Sequence, residues 1–231
     1  KDELIDLLIF KSSKEDKYVT LKEYVERMKE DQKDIYYATG ETIEAIKELP
    51  QLEKVLDKGY EVLYFTDNVD EFMANIIGNY SDKPFKSLLQ GDLDLDTKEE
   101  KEEVEKKAND NKDLLATLKE ELKDKVSDVK LSTRLKTSPV CLVSDDGISI
   151  NMAKTLNAMN QGNIQANKIL EINPDHELFK ALANVYETNK DLSEYANLLY
   201  DQALLIAGLT IEDPLAYTKR VSDLMLKALE R

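Results

Sequence analysis

The chain has 231 residues, of which 42% are hydrophobic and 34% are charged, and its formal net charge is −15. The hydrophobic content is that of a globular protein, which excludes extended disorder, and the length suffices for one large domain or two of ordinary size. Because nucleic acids and anionic membrane surfaces attract cationic proteins, the acidic excess argues against both as partners and favours other proteins or small molecules.

The first part of the chain alternates helical and strand-like segments. Residues 2–10 are predicted to form a short helix or buried segment, and Thr20 with Glu23 has the spacing of a capping box that begins a helix. Three further helices are expected at 42–48, 52–58 and 69–79, and strands are expected at 34–39, 60–65 and 84–89. This order implies right-handed crossovers and a small parallel sheet.

Residues 91–112 are mostly charged, and this segment is predicted to be a linker or an exposed helix between two domains. The domains would then cover residues 1–92 and 113–231. The second is expected to contain strands at 129–135, 140–143 and 168–172, with helices at 114–126, 148–160, 175–186, 193–207 and 214–229. The predicted fold class is α/β and α+β: a small αβα parallel-sheet domain, then a mixed α/β domain that ends in a helical bundle.

The charged segment also invites comparison with a calcium-binding loop. Its acidic residues fall at five ligand positions of the EF-hand pattern, but Thr97 stands where that loop needs glycine for its sharp turn. A solvated segment is therefore favoured, and no metal site is predicted. The acidic residues concerned are Asp92, Asp94, Asp96, Glu100 and Glu103.

Cysteine usage bears on the compartment and on metal binding. Cys141 is the single cysteine, so an intrachain disulfide cannot form, and with His176 as the single histidine a thiolate zinc site is close to excluded. The sequence has no apolar run near the roughly 20 residues that span a bilayer. A cytoplasmic location is expected, because reducing compartments hold few disulfides.

The residue pattern gives little support to catalysis. The sequence has no G-x-G-x-x-G loop and no Walker A lysine motif. His176 follows Asn-Pro-Asp and is expected to shape the start of a helix, since no nucleophile or partnered carboxylate is indicated by spacing. A small α/β enzyme that binds a nucleotide or sugar at the ends of strands 34–39 and 60–66 remains an alternative.

Five segments together indicate a family. They are DIYYATGE (34–41), GYEVLYFTD (59–67), SPVCLV (138–143), LEINPDH (170–176) and LYDQALL (199–205). In this order they resemble segments of the heat-shock protein 90 (Hsp90) molecular chaperone family, of the bacterial HtpG type. The family is associated with heat shock and the folding of non-native proteins, so the resemblance implies a chaperone.

The position of these segments implies which part of the family's architecture is present. By resemblance, residues 1–92 are the last αβα part of the middle domain and residues 113–231 are the C-terminal dimerisation domain. The nucleotide-binding domain would be absent. The resemblance therefore implies that this chain is not an enzyme and has no cofactor, whereas the full-length family hydrolyses ATP with Mg²⁺.

Two helices are candidates for contact with client proteins. Within 148–160 the apolar residues recur at helical spacing, and flexible methionines suit a surface that fits many partners. Periodicity alone favours an ordinary core stripe, but the matching helix of the family projects into a cleft and binds clients. For the helix 69–79 the sequence alone favours packing on the sheet, but the family places a bulky, client-binding aromatic residue at the position of Phe72. The resulting candidates are Glu71, Phe72, Asn75, Ile148, Met152, Leu156 and Met159.

The last two helices are amphipathic and could pair with each other only, or with a second copy of the chain. The resemblance implies the second, a four-helix bundle about a two-fold axis. The candidate dimerisation residues are Tyr195, Leu198, Leu199, Ala203, Ile206, Tyr217, Val221, Leu224, Met225, Ala228 and Leu229. The expected partners are thus a second copy and non-native clients, with no nucleic acid and no membrane. A dimerisation scaffold without client binding is the remaining alternative.

Overall fold

The computed structural model describes residues 5–15, 17–159, 162–188 and 191–230. Residues 2–4 of the first predicted segment and Asn160 of the predicted helix 148–160 lie outside this part of the chain. The described residues form two compact units. The first contains the chain up to Leu95 together with residues 143–167, and the second contains residues 96–142 and the chain from Lys168 onward.

The strands belong to two sheets. A six-stranded sheet has the order β2-β1-β4-β3-β6-β5, and a three-stranded sheet has the order β7-β9-β8. Their bounds in chain order are β1 Ile9–Ser12, β2 Tyr18–Thr20, β3 Ile35–Thr39, β4 Val62–Phe65, β5 Asn79–Tyr80, β6 Lys83–Ser87, β7 Asp128–Leu131, β8 Val140–Ser144 and β9 Lys168–Ile172.

Helices connect many of these strands within the part of the chain that the structure describes. A 3₁₀ turn, Pro50–Leu52, leads into the third of them. Their bounds are α1 Leu21–Glu26, α2 Ile43–Lys47, α3 Glu53–Asp57, α4 Asp70–Ile77, α5 Lys98–Asp110, α6 Lys112–Glu121, α7 Ile150–Ala158, α8 Glu177–Glu187, α9 Ser193–Ile206 and α10 Pro214–Leu229. The predicted mixture of α/β and α+β structure is confirmed.

The centre of the six-stranded sheet is parallel, since β3 pairs in parallel with both β4 and β6. Residues of β3 and β4 alternate between two apolar clusters. Tyr36 and Val62 face one cluster, while Tyr37 and Leu63 face the other. Because successive side chains of a strand point to opposite faces, a strand covered on both faces must be apolar throughout. This explains the unbroken apolar runs that predicted the strands.

Three antiparallel strands extend this parallel centre. β1 is antiparallel to both β2 and β4, and β5 is antiparallel to β6. The prediction of a helix or buried segment over 2–10 is wrong at its end, because Ile9 begins β1. Phe10 and Ser12 are buried in β1 while Ile9 is exposed, as expected for a strand that is buried on one face. An alternation over only four residues is too short to be recognised in the sequence.

Local signals position the helices as the sequence indicated. Thr20 accepts a hydrogen bond from the Glu23 N–H while the Glu23 carboxylate accepts one from the Thr20 N–H, which completes the predicted capping box. Helix α4 ends at Gly78, whose φ of 78° lies in the region that favours glycine. Pro214 occupies the first turn of α10, where a missing N–H costs nothing.

The second unit combines the three-stranded sheet with helices. Strand β7 is parallel to β9, with Val129 opposite Leu170. Helix α5 lies within the charged segment 91–112 and has no buried residue. Among its acidic residues, Glu100 closes a capping box with Thr97, which gives this carboxylate a structural role at the start of the helix. Among the described residues we find no helix with the length and apolar character needed to span a bilayer.

Candidate functional site

The predicted client residues meet within the first unit, where α4 and α7 are in contact. The Asn75 amide nitrogen lies 3.4 Å from the Met152 sulfur, and the Asn75 amide also donates to the Glu71 backbone carbonyl at 2.9 Å. Residues separated by more than 70 positions in the chain are thus adjacent. We call this region the α4–α7 surface and define it by Phe72, Asn75, Met152 and Met159.

Several apolar side chains on these two helices, or next to their ends, face solvent. Ile76 is 70% exposed and Met159 is 56% exposed, and Val69 and Ile148 are also exposed. Phe72, Met152 and Leu156 are half-buried. Val69 and Ile76 are not among the predicted site residues; the signal for Ile76 was its position one turn after Phe72. A group of exposed apolar side chains, as opposed to single scattered ones, is typical of an interaction site.

Glu71 does not share this exposure, and the expectation that it lies beside Phe72 as a contact residue is corrected. Its side chain is fully buried. Its Oε2 accepts hydrogen bonds from the Ser149 hydroxyl at 2.8 Å and from the Asn151 amide at 3.2 Å. Burial raises the pKa of the Glu71 carboxyl, and these two hydrogen bonds oppose that rise. Glu71 therefore holds α7 against α4, a role that helical periodicity could not reveal.

The segment that enters α7 is fixed separately from α4. The Gly91 N–H donates to the Ser144 carbonyl at 2.9 Å, and the Ser144 N–H donates to the Leu89 carbonyl at 3.0 Å. The Gln90 amide donates to the Gly147 carbonyl at 3.0 Å. Ser149 then caps α7 by accepting a hydrogen bond from the Met152 N–H. The start of α7 is thus anchored by backbone pairing as well as by Glu71.

The predicted dimerisation residues divide into two groups. On α9, Leu198, Leu199 and Ala203 are buried inside the second unit, because α9 packs against both α6 and α10. They are therefore covered mainly by their own unit, and Leu198 and Leu199 could reach a second copy only where they line a groove. Tyr195 is half-buried and Ile206 is exposed.

Helix α10 has the opposite character, since none of its described residues is buried. Leu229 is 81% exposed, and Met225, Leu226 and Ala228 are exposed as well. Tyr217, Val221 and Leu224 are half-buried. An apolar helix face that its own unit leaves uncovered is typical of an interaction surface. Leu215 and Leu226 are exposed as well and are not among the predicted residues.

A groove of about 360 Å³ lies within the second unit among α8, α9 and α10. Apolar side chains line most of it, including Leu182, Tyr195, Leu198, Val221, Leu224 and Met225. We call it the α9–α10 groove. Its lining unites residues predicted from both terminal helices, so the two helices form one apolar surface.

An ion pair attaches α10 to α9. The Arg220 guanidinium donates to the Asp201 carboxylate at 3.1 Å and lies 3.1 Å from the Glu194 carboxylate. Asp201 is almost fully buried, and burial raises the pKa of its carboxyl. None of these three charged residues was predicted as a site residue, because a surface charge pattern on two helices does not indicate which charges meet.

Comparison with known proteins decides the family. A sequence model of the Hsp90 protein family matches residues 1–231, which is the whole chain. The chain belongs to the Hsp90 family. It is 51% identical over 228 residues to the chaperone protein HtpG of Bacillus subtilis, and 53% identical over 227 residues to that of Clostridium botulinum. A Clostridium perfringens HtpG is 53% identical over 228 residues. These matches cover 97–98% of this chain and 36% of each relative.

This Hsp90 match corrects two expectations. The sequence predicts that this chain is not an enzyme and has no cofactor, because the resemblance assigns it to domains other than the nucleotide-binding domain. The Hsp90 family model matches residues 1–231, so the match gives no basis for separating this chain from the ATP-dependent part of the family. Both exclusions are therefore withdrawn, and ATP with Mg²⁺ becomes a ligand whose fit must be judged from the residues.

The α9–α10 groove does not fit Mg²⁺-ATP. Across the described ranges no three acidic, histidine or cysteine side chains are close enough to hold a metal ion. The groove is lined mainly by leucine, valine and methionine side chains, with Tyr195 and Gln202 as its polar residues, and no lysine or arginine side chain lines it to neutralise a triphosphate. The groove residues are therefore assigned no step of ATP hydrolysis.

Proposed function

We propose that this chain is the C-terminal portion of an Hsp90-type chaperone, where it joins two copies and contacts non-native proteins. The observation that carries the proposal is the apolar face of α10, which includes Met225, Leu226 and Leu229 and is left uncovered by its own unit. Exposed apolar area of this kind is stabilised by burial at about 25 cal/mol per Å² before the entropic cost of association.

The partner proposed for α10 is a second copy of the same chain. The α9–α10 groove lies beside the exposed face of α10, so one protomer offers both an apolar ridge and an apolar recess. A symmetric pair can bury both at once, since each surface occurs on both copies. The net charge of −15 makes two copies repel each other, so the burial of apolar surface must supply the free energy of association.

The partner proposed for the α4–α7 surface is a protein that exposes apolar residues. Ile76, Ile148 and Met159 are exposed there, and Met152 lies between the two helices. Methionine side chains adapt to differently shaped partners because they are unbranched and polarisable. A bacterial cytoplasmic location completes the proposal, supported by Cys141, the single cysteine, which is buried and is not in a disulfide.

Suppression of the aggregation of a thermally unfolded model protein tests the client contact. Met159→Asp places a charge on the exposed apolar surface, and Ala158→Asp places the same charge on the adjacent exposed position. We expect Met159→Asp to reduce suppression and Ala158→Asp to leave it close to that of the unmodified chain. Equal suppression by both variants would favour a scaffold that dimerises without binding clients.

A further inference from the structure

The buried carboxylate of Glu71 is costly for the first unit. Its side chain has no solvent exposure, and in the described part of the structure Oε1 has no hydrogen-bond partner. Burial removes the water that would hydrate a charged carboxylate. The hydrogen bonds to Oε2 replace only part of that hydration, because Oε1 accepts none. A leucine at this position would pack without that cost, so the carboxylate calls for an explanation beyond packing.

Both hydrogen bonds to Glu71 come from α7 and its N-cap residue. Ser149 donates its hydroxyl proton to Oε2 and also accepts from the Met152 N–H, and Asn151 donates to the same Oε2. Helix α7 has no acidic residue in its own first turn. Glu71 therefore also supplies a negative charge beside the positive end of the α7 dipole.

The contact between α4 and α7 is accordingly a balance of opposed terms. Docking of α7 gains two charge-assisted hydrogen bonds and the contact of Asn75 with Met152. Release of α7 would return the Glu71 carboxylate to water. The hydrogen bonds of Leu89, Gln90 and Gly91 to residues 144–147 do not involve α4, so the start of the segment stays attached when α7 leaves.

We propose that α7 is a releasable arm that Glu71 latches onto α4, and that a bound non-native chain takes the place of the docked arm. Docking places Met152 against Asn75, and the half-buried Phe72 and Met152 are the side chains that a client would use. The arm thus competes with clients for the α4–α7 surface. The competition rests on the proposed client function, whereas the latch itself does not.

Two substitutions shift the latch in opposite directions. Glu71→Gln keeps an oxygen that accepts from Ser149 and removes the buried charge, so docking becomes tighter. Asn151→Ala removes one hydrogen-bond donor to Glu71 and makes docking looser. Alanine favours helix formation, so faster amide hydrogen exchange in this variant cannot come from a weaker helix. Glu44→Gln makes the same change of charge at an exposed position and is the control.

Amide hydrogen exchange across α7 in the whole chain is the direct measurement. We expect exchange about fivefold slower in Glu71→Gln and about fivefold faster in Asn151→Ala, as one net hydrogen bond predicts, with Glu44→Gln unchanged. Unchanged exchange in either variant, or a shift of the opposite sign, overturns the latch.

Aggregation suppression by the same three proteins separates the latch from the client function. We expect weaker suppression by Glu71→Gln and stronger suppression by Asn151→Ala. If exchange in α7 shifts as expected while suppression stays constant in both variants, the latch stands, and both the competition and the proposed client contact are overturned.

Discussion

Helices α7 and α10 carry the same amphipathic pattern, but the structure treats them differently. Helix α7 is docked on α4 through the buried Glu71 carboxylate, and its Ala153 and Thr155 are buried. Helix α10 buries none of its described residues. The difference shows that an apolar stripe predicts a surface that needs a partner, whereas only the surrounding contacts determine whether the partner lies in the same unit.

The largest expected effect comes from placing a charge in the open apolar surface of the second unit. Leu224 lines the α9–α10 groove, and Leu224→Glu would desolvate a carboxylate in any interface formed there. We expect the dissociation constant of the dimer to rise by about 100-fold or more, measured by sedimentation equilibrium.

Ser222→Glu is the matched control, because it adds the same charge two residues away at an exposed position of α10. It should change the dissociation constant by less than about threefold, the range of an exposed charge. Similar weakening by both substitutions would place the interface elsewhere or make general repulsion its cause.

A smaller effect is expected from the ion pair that attaches α10 to α9. Arg220→Gln removes the ion-pair partner of the buried Asp201 carboxylate and leaves Lys125 as a cationic neighbour. We expect a loss of about 2 kcal/mol in the free energy of unfolding, measured by urea denaturation, since a buried carboxylate that loses its hydrogen-bonded cation is costly.

The double variant Arg220→Gln with Asp201→Asn distinguishes charge burial from lost packing. Because both members of this ion pair are then neutral, the double variant should recover more than half of the stability that Arg220→Gln loses. A double variant less stable than Arg220→Gln alone would contradict this explanation.

The smallest expected effect concerns Gly91, which pairs with the segment that enters α7. Gly91 has φ of 51°, and an added Cβ would stand 2.0 Å from the Asp146 carboxylate. The Asp146 side chain is exposed and can rotate away, so Gly91→Ala should cost about 1–2 kcal/mol in thermal unfolding, chiefly from the backbone conformation.

Gly208→Ala provides the comparison for Gly91, since Gly208 has φ of 67° and an added Cβ would meet open space. The excess cost at Gly91 over Gly208 then measures the crowding by Asp146. Equal costs would indicate that Asp146 moves aside without penalty.

Much of the fold was predictable because its signals are local. The strands β3 and β4 are apolar on both faces, the Thr20 capping box is complete within four residues, and Pro214 begins α10. Strand β1 was missed because its alternation spans only four residues and its partner β4 is some 50 positions away.

The candidate sites were predictable only in part. Periodicity and family resemblance pointed to Phe72, Met152, Leu224 and Leu229, whereas the exposed Leu215 and Leu226 of α10 were not predicted. The burial of Glu71 depends on Ser149 and Asn151, 78 and 80 residues further along the chain. Likewise, whether Leu198 belongs to a core or to an interface depends on α6, which no spacing within α9 reveals.

The molar mass of the chain in solution tests the central claim most directly, because the claim is that the open face of α10 is covered by a second copy. Light scattering across micromolar concentrations should give twice the 26.4 kDa of one chain, with a decline towards one chain on dilution. A mass of 26.4 kDa that persists at the highest concentration would contradict the account, since the leucines of α10 would then stay exposed without a partner.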